Sequence, residues 1–117
     1  PEQRLHMGLG YEKMFDVYDY TGYSYEAFRK KYCPEKKKLS DGLFEILGKD
    51  LTDKFHMYLL SNNAKLETDS RYRIAIITSG NGTLNGTKVK KGERIFVMDE
   101  NTLSAVGTAD FEVVVCE

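Results

Sequence analysis

The chain has 117 residues, enough for one domain with a single core and too few for two. Its 41% hydrophobic, 30% charged and 12% aromatic residues are ordinary for a globular protein, and its formal net charge of −1 gives no general attraction to nucleic acid or membrane. No apolar run approaches the ~20 residues of a membrane helix. We therefore expect a cytoplasmic protein with neither nucleic acid nor membrane as a partner.

The start of the chain and its two cysteines lead to two further expectations. The first ten residues resemble an internal segment of a protein, so we expect an excised piece of a longer polypeptide. Cys33 and Cys116 form no CxxC pair, and free thiols in a reducing cytoplasm are favoured over a disulfide.

The first third of the chain, residues 1–38, is rich in tyrosine and charge and carries the helical signals. Ser24 is a good N-cap for a helix over residues 25–32, and Pro34 ends that helix. A shorter helical turn is predicted over residues 11–17.

From residue 39 onward, short β-prone runs alternate with turn residues. The predicted strands span residues 43–47, 55–60, 64–68, 72–78, 94–98, 102–106 and 111–116. Turn signals at intervals of about 8 to 12 residues favour a sandwich or barrel. The later strands have no helical stretch between them, which disfavours a parallel sheet.

The turn residues predict how some strands connect. Asn81-Gly82 and Asn85-Gly86 are both type I′ hairpin sequences, because both central positions of that turn need positive φ. Lys91-Gly92 marks a further turn. Asn62-Asn63 ends the second strand, and residues 64–68 are expected to pair back across it.

Two stretches resemble the class I mannose-6-phosphate isomerases. Residues 72–99, YRIAIITSGNGTLNGTKVKKGERIFVMD, are similar to the cupin half-motif of that family. Residues 5–23, LHMGLGYEKMFDVYDYTGY, are similar to the segment that leaves the catalytic domain for the C-terminal domain. The resemblance implies a mainly β, cupin or jelly-roll-type antiparallel β-sandwich with one or two short N-terminal helices. Residues 1–38 would pack as a helical segment on a sandwich of residues 39–117, in one domain.

The resemblance also implies a function for the parent protein, which would interconvert mannose 6-phosphate and fructose 6-phosphate. Zinc and the sugar phosphate would be held in the parent's catalytic domain. That domain would lie upstream of this chain and would be its expected partner. Where the family has an arginine before a Gly-Leu pair, this chain has His6 before Gly8-Leu9, which indicates a divergent branch. The isolated chain is expected to be an inactive, non-catalytic C-terminal domain.

The residues themselves predict no catalytic, cofactor-binding or metal-binding set in this chain. Metal-binding cupins present an HxH pair, a glutamate and a later histidine, whereas this chain has only His6 and His56, in different regions. His6, beside the flexible Gly8-Leu9-Gly10, is the single candidate for an active-site loop. His56 is interpreted as a histidine on a sheet face whose tip meets water or a carbonyl.

Two further hypotheses remain open. The chain could be a small-molecule, sugar-binding cupin module without catalysis, with polar candidates inside the barrel at Thr78, Asn85, Thr87 and Thr102. It could also be a structural domain that forms a homodimer through exposed sheet edges and its tyrosines. The basic run over residues 29–38 is interpreted as a solvated surface.

Overall fold

The structure, a computed structural model, describes residues 8–18 and 20–117. The chain divides into two compact units, Pro1–Cys33 and Pro34–Glu117. The first strand of the second unit is Lys37–Ser40, and it starts inside residues 1–38, the predicted helical segment. The predicted packing of the helical segment on the sandwich stays a prediction.

The first unit contains the two predicted helices, α1 (Tyr11–Asp16) and α2 (Tyr25–Tyr32). Ser24 caps α2 as expected, since its hydroxyl accepts a hydrogen bond of 3.2 Å from the backbone N–H of Ala27. Neither helix contains a buried residue. Within the described part of the chain, no helix is long and apolar enough to cross a bilayer.

The second unit is an antiparallel β-sandwich, which confirms the predicted fold class. Its strands are β1 (Lys37–Ser40), β2 (Leu43–Leu47), β3 (Met57–Ser61), β4 (Lys65–Glu67), β5 (Tyr72–Ser79), β6 (Asn81–Leu84), β7 (Thr87–Lys90), β8 (Arg94–Met98), β9 (Thr102–Gly107) and β10 (Glu112–Cys116). One sheet has the order β1-β2-β3-β10-β5-β8, and the other has the order β4-β9-β6-β7. The sequence signals missed β1, β6 and β7, which are short and contain turn-forming or charged residues.

Two of the predicted connections are wrong. The strand β4 does not pair back on β3; it pairs with β9 in the other sheet. The Asn81-Gly82 hairpin is also absent, because β5 and β6 belong to different sheets and Gly80, at φ 68, carries the chain between them. The Asn85-Gly86 hairpin is confirmed, with φ of 47 and 82 at the two residues and β7 paired back on β6.

The core lies between the two sheets and is apolar along most of its length. On β5 the inward residues are Arg73, Ala75 and Ile77, and on β10 they are Val113 and Val115. The buried hydrophobic set as a whole comprises Leu43, Leu60, Ala64, Leu66, Ala75, Ile77, Leu84, Val89, Leu103, Ala105, Phe111, Val113 and Val115. These side chains form one continuous apolar cluster between the two sheets.

One close approach in this core requires glycine. Gly82 on β6 lies opposite Gly107 on β9, and the fully buried Phe111 ring packs over both. A β-carbon on Gly107 meets the carbonyl oxygen of Asn81 at 2.5 Å and the Phe111 ring at 2.6 Å. These distances are too short for any side chain.

We expect Gly107→Ala to lower the free energy of unfolding by about 1–3 kcal/mol, the usual cost of overpacking. Urea unfolding followed by circular dichroism measures the change. Gly22→Ala is the matched control, because a β-carbon there meets nothing within 4 Å. Equal stability of Gly107→Ala and the unaltered chain contradicts the close packing described here.

Candidate functional site

The inner face of the six-stranded sheet changes from apolar to charged at one end. Val115 on β10 lies opposite Tyr58 on β3 and opposite Ala75 on β5. Glu117, two residues further on, exchanges backbone hydrogen bonds of 2.8 and 3.1 Å with His56. Since alternate residues of a strand share a face, Glu117 and His56 follow the inward-facing residues of their strands.

Arg73 occupies the corresponding place on β5, two residues before Ala75, and is 2% exposed. Its Nη2 donates hydrogen bonds of 3.0 and 3.1 Å to the backbone carbonyls of Thr68 and Ser70. Its Nε lies 3.4 Å from Oε2 of Glu117, as an ion pair without hydrogen-bond geometry. Its Nη1 is buried without a hydrogen-bond partner among the described residues. The charge of Arg73 is thus balanced mainly by one carboxylate.

That carboxylate, Glu117, is the centre of the cluster, and its side chain is 7% exposed. Oε2 accepts a hydrogen bond of 2.7 Å from the hydroxyl of Thr68, and Oε1 lies 3.9 Å from Nδ1 of His56. The Tyr58 phenol also lies close enough to Glu117 for the carboxylate charge to act on it. A buried carboxylate with several partners is held in one position.

Tyr58 is half-buried, and its environment favours the neutral phenol. Burial raises the pKa of Tyr58, and the negative charges of Glu117 and Glu45 raise it further. Glu45 lies opposite Tyr58 in the sheet, and Lys37 on β1 approaches Glu45 with 3.8 Å between Nζ and Oε1. At neutral pH the Tyr58 hydroxyl is therefore protonated and able both to donate and to accept a hydrogen bond.

We call this end of the sandwich the polar mouth; it opens into a cavity of about 540 Å³. The cavity is lined by Lys37, Glu45, Lys49, Asp50, His56, Tyr58, Thr68, Asp69, Ser70 and Glu117. Four of these residues are carboxylates and two are lysines, so the lining is formally acidic at neutral pH. The remaining groups are hydroxyls and an imidazole. The mouth combines many acceptors with several donors and is open to solvent.

The candidates named from the sequence fall largely elsewhere. His6 lies outside the described residues, and its role in an active-site loop stays a prediction. His56 lies one residue before β3, and its Nδ1 is 3.9 Å from a carboxylate oxygen of Glu117. Thr78 donates a hydrogen bond to the Glu112 carbonyl, and Asn85 donates one to the Thr102 carbonyl.

Asn85 and Thr87 instead line a smaller cavity of about 200 Å³ between β8 and the β6–β7 hairpin. Asn85 is fully engaged there, because its side chain also accepts a hydrogen bond of 2.6 Å from the backbone N–H of Ser104. All four polar candidates are exposed, and the polar mouth is built from other residues.

Sequence reasoning missed Arg73, Glu117, Tyr58 and Glu45, although a signal was available. Arg73 falls in phase with Ala75 and Ile77, and Glu117 falls in phase with Val113 and Val115. A charge in the core-facing phase of a strand is uncommon and needs a partner. Two such charges at the ends of adjacent strands indicate an ion pair, but only if the strand order is known.

Within the described ranges, no group of three or more His, Cys, Asp or Glu side chains is arranged to hold a metal ion. In the polar mouth, the imidazole of His56 faces a glutamate that is already engaged by Arg73 and Thr68. The residues present therefore do not fit the zinc that the resemblance implies for the parent.

Comparisons with known proteins show the fold. No family model matches the chain, and no curated protein matches it in sequence. Among solved structures, YhhW from Escherichia coli matches with a TM-score of 0.55 and 19% identity, over 70% of this chain and 40% of that one. Ectoine synthase from P. lautus matches with a TM-score of 0.53 and 7% identity, over 82% of this chain and 76% of that one.

A nickel(II) complex of the same pirin, YhhW, matches with a TM-score of 0.53 and 21% identity, over 64% of this chain and 38% of that one. The chain thus spans about two-fifths of the length of YhhW. These neighbours are cupin-fold proteins of varied kinds, so the jelly-roll sandwich is a cupin fold. Sequence identities this low show a shared fold and do not show a shared function.

Loss of Arg73 should destabilise the sandwich strongly. Arg73→Leu leaves the Glu117 carboxylate buried without its cation, and we expect a loss of about 3–5 kcal/mol in the free energy of unfolding. Arg71→Leu, at an exposed position two residues earlier, is the matched control. The double variant Arg73→Leu/Glu117→Leu should recover part of the loss. A double variant less stable than Arg73→Leu contradicts the pairing.

Tyr58 should add a pH dependence to stability in the alkaline range. Because its pKa is raised in the folded state, its contribution is fully present below the unfolded value of about 10 and is lost as pH rises through the folded value. Urea unfolding at increasing pH should show a steeper decline for the unaltered chain than for Tyr58→Phe. Glu45→Gln should reduce the difference, and Glu67→Gln, on the exposed β4, should not. Parallel declines for Tyr58→Phe and the unaltered chain contradict the assignment.

Proposed function

We propose that the chain is a cupin-fold module that binds a small neutral polyol, of the monosaccharide class, in the polar mouth. The observation that carries the proposal is the mixture of hydrogen-bonding groups in one open cavity of about 540 Å³. That volume lies within the roughly 300–1,000 Å³ of known small-molecule sites. Each polyol hydroxyl both donates and accepts a hydrogen bond, and the lining offers partners for both.

The charge of the lining favours a neutral ligand over a phosphorylated one. Four carboxylates face two lysines, and Lys37 is already close to Glu45. Among the described residues the one buried cation is Arg73, which faces Glu117 and is not part of the cavity lining. A phosphate group would meet net repulsion at this mouth, whereas hydroxyl donors find carboxylate acceptors.

The mouth is also preorganised, which reduces the entropy lost on binding. Glu117 is fixed by a hydrogen bond from Thr68 and by the neighbouring charge of Arg73. The rings of His56 and Tyr58 lie edge to face, with centroids 6.5 Å apart, and give the cavity an apolar wall for the carbon skeleton of a sugar.

The test is a titration of the 117-residue chain with neutral monosaccharides, among them mannose and fructose, followed by protein NMR. We expect shifts at Tyr58, Ser70 and Asp69, and about tenfold weaker binding for Tyr58→Phe, since one hydrogen bond to a buried polar partner is lost. Tyr72→Phe, an exposed tyrosine on β5, is the matched control. The corresponding sugar phosphates should bind less tightly than the neutral sugars.

Three outcomes contradict the proposal. The first is the absence of shifts in the mouth with every neutral sugar, and the second is tighter binding of the phosphates than of the neutral sugars. Binding that Tyr58→Phe and Tyr72→Phe weaken equally also argues against the mouth.

We further propose the parent context that the sequence resemblance implies. The module would be the C-terminal, non-catalytic domain of a mannose-6-phosphate isomerase-like protein, with zinc and sugar phosphate held by the catalytic domain of the parent. What supports this is the resemblance of residues 5–23 and 72–99, the second of which forms β5 to β8 of the sandwich.

In that context the isolated chain should show no isomerase activity and bind no zinc stoichiometrically. Metal analysis of the purified chain after dialysis against zinc, together with an assay for conversion of mannose 6-phosphate to fructose 6-phosphate, measures both. One tightly held ion per chain, or turnover by the chain alone, overturns the non-catalytic assignment without bearing on sugar binding at the mouth.

A further inference from the structure

The segment between β2 and β3, residues 48–56, lies at the polar mouth and contributes to its lining. We call it the mouth loop. At its start the carboxylate of Glu45 packs against the buried Gly48, since a β-carbon there would meet the carboxylate carbon at 2.5 Å. At its end His56 exchanges backbone hydrogen bonds of 2.8 and 3.1 Å with Glu117. Both ends of the loop are thus fixed on the sandwich.

Between these ends the mouth loop bonds to itself. The backbone N–H groups of Leu51 and Thr52 donate to the Gly48 carbonyl at 3.0 and 3.1 Å. Within the described ranges, no hydrogen bond joins residues 49–55 to another element of the fold. A segment with so few bonds to its surroundings opens at a low free energy. The middle of the loop can therefore change position while the strands on either side stay in place.

Lys49 is the loop residue on which the charge of the mouth acts most directly. Other elements contribute three carboxylates to the same lining: Glu45, Asp69 and Glu117. Among the described residues Lys49 forms no ion pair, whereas the other lining lysine, Lys37, lies 3.8 Å from Glu45. An unpaired ammonium group beside an acidic cavity is attracted toward it. The charge thus favours movement of the loop inward, over the opening.

We propose that the mouth loop closes over a polyol bound in the polar mouth and that Lys49 contacts the ligand from the loop side. This inference rests on the sugar-binding function proposed above. The ammonium group of a lysine has three hydrogen-bond donors, and the hydroxyl oxygens of a sugar accept from them. Closure shields the ligand from water and slows its dissociation. The loop then sets the lifetime of the complex.

The first measurement is amide hydrogen exchange of the 117-residue chain, followed by NMR with and without sugar. In the free chain the amides of residues 49–55 should exchange at least about tenfold faster than those of Met57–Ser61 in β3. Saturation with mannose or fructose should slow the exchange of residues 49–52 by about tenfold, because the loop is then held closed. Equal protection of the loop and of β3 in the free chain overturns the closure whether or not a sugar binds.

Two lysines of the same loop provide a matched pair of variants. Lys49→Ala should weaken the binding of the neutral sugars by about tenfold, mainly through faster dissociation. Lys54→Ala removes the same charge from the same loop, but Lys54 does not line the cavity and pairs with Asp53 at 3.0 Å. Its affinity for sugars should equal that of the unaltered chain. Circular dichroism confirms that each variant is folded.

The outcomes separate this inference from the proposed function. Sugar-induced shifts at Tyr58 and Ser70 without slower exchange in the mouth loop overturn the closure and leave sugar binding intact. Equal affinities of Lys49→Ala and Lys54→Ala have the same meaning. The absence of shifts in the mouth with every neutral sugar overturns the closure together with the function on which it rests.

Discussion

The ion pair between Arg73 and Glu117 is the constraint around which one end of the sandwich is organised. Both side chains are almost completely buried, and a buried charge is tolerated only when it has a partner and hydrogen bonds. Arg73 also binds the carbonyls of Thr68 and Ser70, so the loop between β4 and β5 is tied to the same point. The pair thus connects β5, β10 and a loop at the place where the apolar core ends.

The properties of the polar mouth follow from this pair. Glu117 is held by Thr68 and Arg73, which leaves its negative charge next to Tyr58 and close to His56. That charge, together with burial and Glu45, keeps the phenol of Tyr58 neutral. Arg73 faces Glu117 and does not line the cavity, so the described lining has no buried cation to offer a phosphate. The preference for neutral hydroxyls that we propose depends on this arrangement of the ion pair.

The cupin fold itself leaves the function open. The solved structures that share it include a pirin and an ectoine synthase, at identities of 7–21% with this chain. In this chain the space between the sheets is filled by side chains such as Leu60, Leu103 and Phe111. The cavity of the polar mouth lies at one end of this apolar core. Function in such a fold depends on a few residues at its rim.

The sequence by itself determined the local elements. Ser24 and Pro34 bound α2, β-branched runs mark β5, and Asn85-Gly86 makes a hairpin turn whose φ angles only a few residues tolerate. These signals depend on neighbours along the chain, so they are readable without the fold. Short strands such as β6, with Asn and Gly in them, carry little such signal. For the same reason the Asn81-Gly82 pair was predicted as a hairpin.

Only the tertiary structure decided which strands are neighbours, and the candidate site depends on that order. Arg73 and Glu117 are 44 residues apart in the sequence and become adjacent because β10 lies between β3 and β5. His56 and Tyr58 reach the same mouth from the other side of β10. Strand pairing between distant segments is set by how whole faces bury their apolar side chains together, and no local pattern records it.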